Sequence, residues 1–130
     1  MSFFFKKFWW KYLCVALLMY TTVAGLLVSV PRLAIVNETI RALYFHVPMW
    51  FGMVAMFGFS IYYSIQYLRK QDSLSDFMAV EFANTGLLLG ILGILTGMLW
   101  ANYTWGPPWH GDPKQNGAAI ALLVYLAYFV

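Results

Sequence analysis

Met78-Ala-Val-Glu81-Phe-Ala-Asn84-Thr-Gly86-Leu-Leu-Leu-Gly90-Ile-Leu-Gly93-Ile-Leu-Thr-Gly97-Met-Leu-Trp100-Ala101 is the stretch that decides the fold. Beyond Glu81 it carries no charge, and it is long enough as a helix to cross a bilayer of about 30 Å. In lipid a lone segment must satisfy its own backbone, which only a helix does. Its glycines recur at intervals of four, three and four, which sets them on one helical face. Such a stripe of small residues lets a neighbouring helix approach closely. Glu81 and Asn84 fall near its start, at interface level, where a charge is tolerated.

The flanking chain has the same character. The 130 residues are 62% hydrophobic and only 10% charged, whereas an ordinary soluble domain is about a quarter charged. An all-α, polytopic membrane bundle follows, as a single membrane domain over residues 1–130. Going towards the N-terminus, Arg69 to Asp76 is a short charged connection, and a second span runs from about Pro48 to Leu68. Proline suits the first turn of that helix. Leu33, Val36, Ile40 and Leu43 keep helical spacing, which predicts a short amphipathic surface helix near 33–45. The run Tyr12–Val30, closed by Pro31, is a first span. Its lead-in, with Lys6, Lys7 and Lys11 among aromatics, reads as an interface anchor. A cleaved signal peptide competes with that reading, but no Ala-x-Ala-like site closes the run. Cys14 lies inside this span and reads as a small buried core thiol.

Towards the C-terminus comes Trp100-Ala-Asn-Tyr-Thr-Trp105-Gly106-Pro-Pro-Trp109-His110-Gly-Asp112-Pro-Lys114, read as a loop. The apolar run Gly117–Val130 is too short to span. The expectation is therefore three full transmembrane helices and a truncated fourth, in a chain that is a fragment. With the N-terminus inside, Lys6, Lys7, Lys11, Arg69 and Lys70 lie on the inner side, and Arg32, Arg41 and Lys114 on the outer. The positive-inside rule then puts the 31–46 loop and the Trp-rich loop together on the outer face. The basic balance suits membrane lipid, and no clustered patch of the kind nucleic acid needs is present.

Two histidines can carry chemistry. His46 precedes the Val-Pro that opens the second span, beside a helix N-terminus whose partial charge disfavours imidazolium. A neutral imidazole is the metal-ligating form; the other reading is an interfacial ring with its tip among head groups. His110 is open between ligand, donor and solvated loop residue. The tryptophans have two readings as well. Trp100, Trp105 and Trp109 fit an interfacial belt, or, held by Gly-Pro-Pro and Gly-Asp-Pro turns, a platform for a large flat ligand. Asp112 and Lys114 are then orienting groups or a solvated pair. A flat ligand with a central metal and rim carboxylates is heme, and Arg32, Arg41 and Lys114 could meet its propionates.

Two motifs carry a resemblance to a known family. Arg41-Ala-Leu-Tyr-Phe-His46-Val-Pro48 is similar to the pattern Arg-x-x-Tyr-x-His-Val-Pro; the second motif is Thr96-Gly97-x-x-Trp100-Ala followed by Trp105-Gly-Pro-Pro-Trp109-His-Gly-Asp112-Pro-Lys114, which resembles, without gaps, Trp-Gly-x-Trp-Trp-x-Trp-Asp-x-Arg. Both belong to the cytochrome c assembly family, and within it the chain looks most like the heme-exporter type. Pro108 and Gly111 stand where the family has tryptophan, and Lys114 replaces its arginine without the bidentate fork. The resemblance implies transiently bound heme b, with His46 as an axial ligand to the iron. It further implies that Trp100, Trp105, Gly106, Trp109, Asp112 and Lys114 bind the cofactor. The second axial histidine, in a later loop, is absent from this chain. The implied role is heme delivery to a periplasmic heme chaperone beside ATP-binding-cassette maturation subunits, in a bacterial inner membrane. The N-terminus is then cytoplasmic and the Trp-rich stretch periplasmic. This is a binding and transfer protein rather than a turnover enzyme. Alternatives are a heme-lyase or synthetase type of the same family, or a non-heme transporter or assembly subunit.

Overall fold

The computed structural model describes residues 2–129, with side chains from Phe8 onward. It contains four α-helices and one 3-10 helix: α1 (Ser2–Leu27), the 3-10 helix (Asn37–Tyr44), α2 (His46–Lys70), α3 (Ser73–Trp105) and α4 (Pro113–Tyr128). The first three α-helices are long and apolar enough to cross a membrane. The all-helical, multi-pass class expected from the sequence is the one found.

The centre of the fold is the antiparallel pair α2–α3. One stripe of α2, spaced like successive helical turns, presents His46, Trp50, Met53 and Phe57, and the glycines of α3 receive it. A β-carbon added at Gly86 would lie 2.5 Å from the Phe57 ring, one at Gly93 3.1 Å from the Trp50 indole, and one at Gly97 2.6 Å from the His46 ring. At Gly90 it would meet Met53 and Leu122. Ala83 and Ala79, 0% and 1% exposed, continue the groove, and the Ser60 hydroxyl closes it by donating to the Ala79 carbonyl at 2.9 Å. Among helices in lipid, where burial from water does not drive association, such close packing supplies the attraction. The small-residue stripe read from the sequence is thus the socket for α2.

The turn between α2 and α3 is tight. Gln71 takes a left-handed conformation (φ 53°) and its N–H donates to Tyr67 O at 2.7 Å. Asp72 then caps α3, accepting from the Ser75 N–H at 2.9 Å and the Ser75 hydroxyl at 2.6 Å. These hydrogen bonds hold its carboxyl below its ordinary pKa. α4 adds Leu122 to the core and stacks Tyr125 on Phe57, with ring centroids 3.6 Å apart and planes 4° from parallel.

Three expectations need correction. The residue 33–45 segment is not an amphipathic helix lying free on the surface. It is a shorter 3-10 helix, entered through a left-handed Asn37 (φ 44°), and packed on α1, α2 and α3. Leu33 and Leu43 are exposed, while Thr39 and Ala42 turn inward, because a three-residue repeat rotates the inner face away from the α-helical one. Cys14 is exposed rather than a buried core thiol. The reason is that, among the described residues, α1 packs only against the 3-10 helix. Finally, Trp100–Trp105 is the last part of α3, not loop, since no breaker precedes Gly106-Pro107-Pro108. Pro113 and Lys114 likewise already belong to α4.

The packing gives a paired test. Gly86→Ala should lower stability by about 1–3 kcal/mol through overpacking against Phe57. Gly58→Ala, where nothing lies within 4 Å, should be neutral or stabilising by up to about 1 kcal/mol. Thermal unfolding in detergent measures both.

Candidate functional site

The end of the bundle opposite the α2–α3 turn brings together the two segments that the positive-inside count expects on one face. The Trp100 indole N–H donates to the Thr39 hydroxyl at 3.2 Å, and Thr39 and Thr104 hydroxyls are 3.3 Å apart. Below this seam a cavity of about 640 Å³ opens between α2, α3 and the start of α4, within the size range of small-molecule sites. Its more buried part is lined by His46, Trp50, Gly93, Gly97 and Ala101. Its exposed part is lined by Trp105, Trp109, His110, Asp112 and Lys114.

His46 is the first residue of α2 and is fully engaged. Its Nδ1 is 3.2 Å from the Thr96 hydroxyl, and its Nε2 accepts from the Trp50 indole N–H at 3.0 Å. The ring meets Trp50 and Trp100 edge-on, at centroid distances of 5.9 and 5.8 Å. Trp105 stands 6.4 Å from Trp100, and His110 6.0 Å from Trp105. Two imidazoles and a series of indoles therefore border one space, the aromatic stock from which a flat apolar ligand site is built.

Of the sequence-selected residues, His46, Trp100, Trp105, Trp109, Asp112 and Lys114 all border this cavity. Gly106 does not. With φ 98° and open space around it, it ends α3 in a conformation that L side chains rarely adopt. Asp112 has a structural duty: its carboxylate accepts from the Lys114 N–H at 2.6 Å and caps α4, with Pro113 next. Of the three cations considered for an anionic rim, two are committed elsewhere. Arg41 donates to the Gly25 and Val28 carbonyls at 3.1 and 2.7 Å, closing the end of α1, and Arg32 pairs with Glu38 at 3.3 Å. Lys114 remains at the cavity.

Sequence reasoning missed Trp50 and Gln115, left His110 open, and met Thr96 only as a motif residue. Trp50 had a readable signal, since it lies four residues after His46 on the same helix. The pairing of Thr96 with His46 had none, the two being fifty positions apart in sequence. Gln115 shapes the loop by accepting from the His110 N–H and donating to the Pro108 carbonyl, each at 3.2 Å; a polar residue just past the motif gave no hint of this.

The cap and the cavity roles of Asp112 separate by substitution. Asp112→Ser should keep α4 intact, while Asp112→Ala should lose about 1 kcal/mol of stability and fray its first turn. Circular dichroism and hydrogen exchange of the 114–116 amides check this.

A family model described as Cytochrome C assembly protein matches residues 2–130. Among curated proteins, the chain is 42% identical over 65 residues to "Cytochrome c biogenesis protein CcsA" of Thermosynechococcus vestitus, covering 50% of this chain and 20% of that one. It is 30% identical over 80 residues to the protein of the same name from Cuscuta exaltata, covering 62% and 25%. For the Daucus carota protein the figures are 32% over 78 residues, covering 60% and 23%. The matched stretch thus spans a fifth to a quarter of the length of these relatives. No solved structure matches.

Proposed function

This chain belongs to the cytochrome c assembly protein family, and on that premise we propose that it handles heme during c-type cytochrome maturation. The observation that carries the reading is the convergence of His46, three indoles and Lys114 on one cavity at one end of a membrane bundle. The donor set fits the cargo. The chemistry of heme at such a site is that of an iron accepting an axial nitrogen, a flat apolar macrocycle and two carboxylates. His46 supplies the nitrogen, Trp100, Trp105 and Trp109 supply apolar faces, and Lys114 supplies a cation near the exposed part. Asp112 contributes indirectly, by starting α4 where Lys114 and Gln115 border the cavity. The membrane is read as a bacterial inner membrane, with the cavity on the periplasmic side and the N-terminus cytoplasmic.

Two roles within the family are compatible with this site. In the exporter role, heme passes to a periplasmic chaperone beside ATP-binding-cassette subunits. In the synthesis role, heme meets an apocytochrome. The relatives quoted above all carry the biogenesis name, which is compatible with both roles. In either role the chain binds and presents heme, and its own residues form no covalent bond to it.

His46→Ala should remove the Soret band of co-purified heme, and Trp105→Ala with Trp109→Ala should reduce heme content while leaving helicity intact. Absorption spectra and pyridine hemochrome assays on the membrane-extracted protein test this. Unchanged heme content and spectrum in His46→Ala would sink the assignment.

A further inference from the structure

We infer that Trp50 is a latch on His46: both rings border the cavity, the Trp50 indole N–H occupies the imidazole Nε2, and a metal-bearing ligand must displace it to bind there. The inference rests on the heme reading of the same cavity, but it comes from counting protons. An indole N–H can only donate, so His46 Nε2, 3.0 Å from the Trp50 indole nitrogen, holds a lone pair and accepts from it. The proton of the neutral ring is then on Nδ1, 3.2 Å from the Thr96 hydroxyl oxygen, whose own proton has the Leu92 and Gly93 carbonyls within reach at 2.8 and 3.1 Å.

An imidazole nitrogen has one in-plane lone pair, and it cannot bind iron while accepting a hydrogen bond. An indole N–H is a donor only. The contact between Trp50 and His46 thus exists only while Nε2 is neither protonated nor coordinated. Thr96, in contrast, grips the far side of the ring, and its contact survives coordination. It then plays the part of the outer partner that fixes the tautomer of a metal-bound histidine.

Trp50 is held for this task. It lies one turn after His46, and its indole rests in the gap left by Gly93, with ring atoms 3.1–3.5 Å from where a β-carbon would be. The indole also borders the cavity, so a ligand in the cavity competes with it directly. Trp50 is accordingly a positioning residue. It preserves the reactive tautomer of an empty site, and it sets a cost on ligation that a weak ligand does not overcome.

The test uses wild type, Trp50→Phe and His46→Ala, purified in detergent. The first readout needs no heme: diethyl pyrocarbonate acylation of His46, followed by mass spectrometry, with exposed His110 in the same molecule as reference. Losing one hydrogen bond from the competing state should raise the His46-to-His110 rate ratio about three- to tenfold in Trp50→Phe. Hemin affinity should rise by a similar factor of about three to ten. In wild type, hemin should shift the Trp50 indole N–H resonance away from its hydrogen-bonded position. That measurement decides the matter if Trp50→Phe does not fold. An unchanged acylation ratio in folded Trp50→Phe, or an unmoved indole resonance on hemin binding, overturns the latch. Equal hemin affinity of wild type and Trp50→Phe, with affinity lost in His46→Ala, overturns the latch and leaves the heme reading standing. Equal affinity of wild type and His46→Ala removes both.

Discussion

Everything at the cavity end of the bundle depends on one packing constraint: α3 offers no side chains where α2 offers its largest. Phe57, Met53, Trp50 and His46 enter in turn opposite Gly86, Gly90, Gly93 and Gly97. Side-chain packing at this density is not continuously deformable. The position of the imidazole is therefore set by the same register that fits the phenyl ring three turns away. A shift of α2 along α3 that moved Phe57 out of its gap would also take the imidazole away from the cavity and Nδ1 away from Thr96. The site inherits its precision from the core.

The way the ends of helices are satisfied explains which polar residues are free to act. Arg41 is spent on the last carbonyls of α1, Asp72 on the first N–H groups of α3, and Asp112 on those of α4. Arg41 and Asp112 looked available when only charge and side of the membrane were considered. What is left at the cavity is Lys114, the histidines and the indoles. A site of this kind is apolar with a thin polar margin, which suits a ligand that is mostly ring.

The sequence made some of this legible. The absence of charge over the long Gly86–Ala101 run was enough to identify a membrane helix, and the glycine spacing was enough to identify its packing face. The pairing of the 31–46 segment with the Trp-rich stretch followed from lysine and arginine counts, and the two segments do meet through Thr39 and Trp100. What was not legible depended on tertiary register. Nothing local marks Thr96 as the partner of a histidine fifty residues earlier, or turns a surface helix into a 3-10 segment wedged under α1. The end of α3 was placed too early because Trp, Tyr and Thr are weak helix formers. In the structure, the helix continues until glycine and two prolines stop it.

The length of α3 has a consequence for how anything reaches the cavity. Its 33 residues extend about 50 Å, well beyond the roughly 30 Å of hydrocarbon, so one end overhangs the bilayer. With the uncharged Gly86–Ala101 run placed in the hydrocarbon, the cavity, which begins at Gly93 and ends beside Trp105, reaches from the acyl chains toward the head groups. An amphiphile with an apolar plane and an ionic edge partitions to that depth unaided. The lipid surface thus concentrates such a molecule at the level of the opening, and its search for the site is a lateral one, in two dimensions.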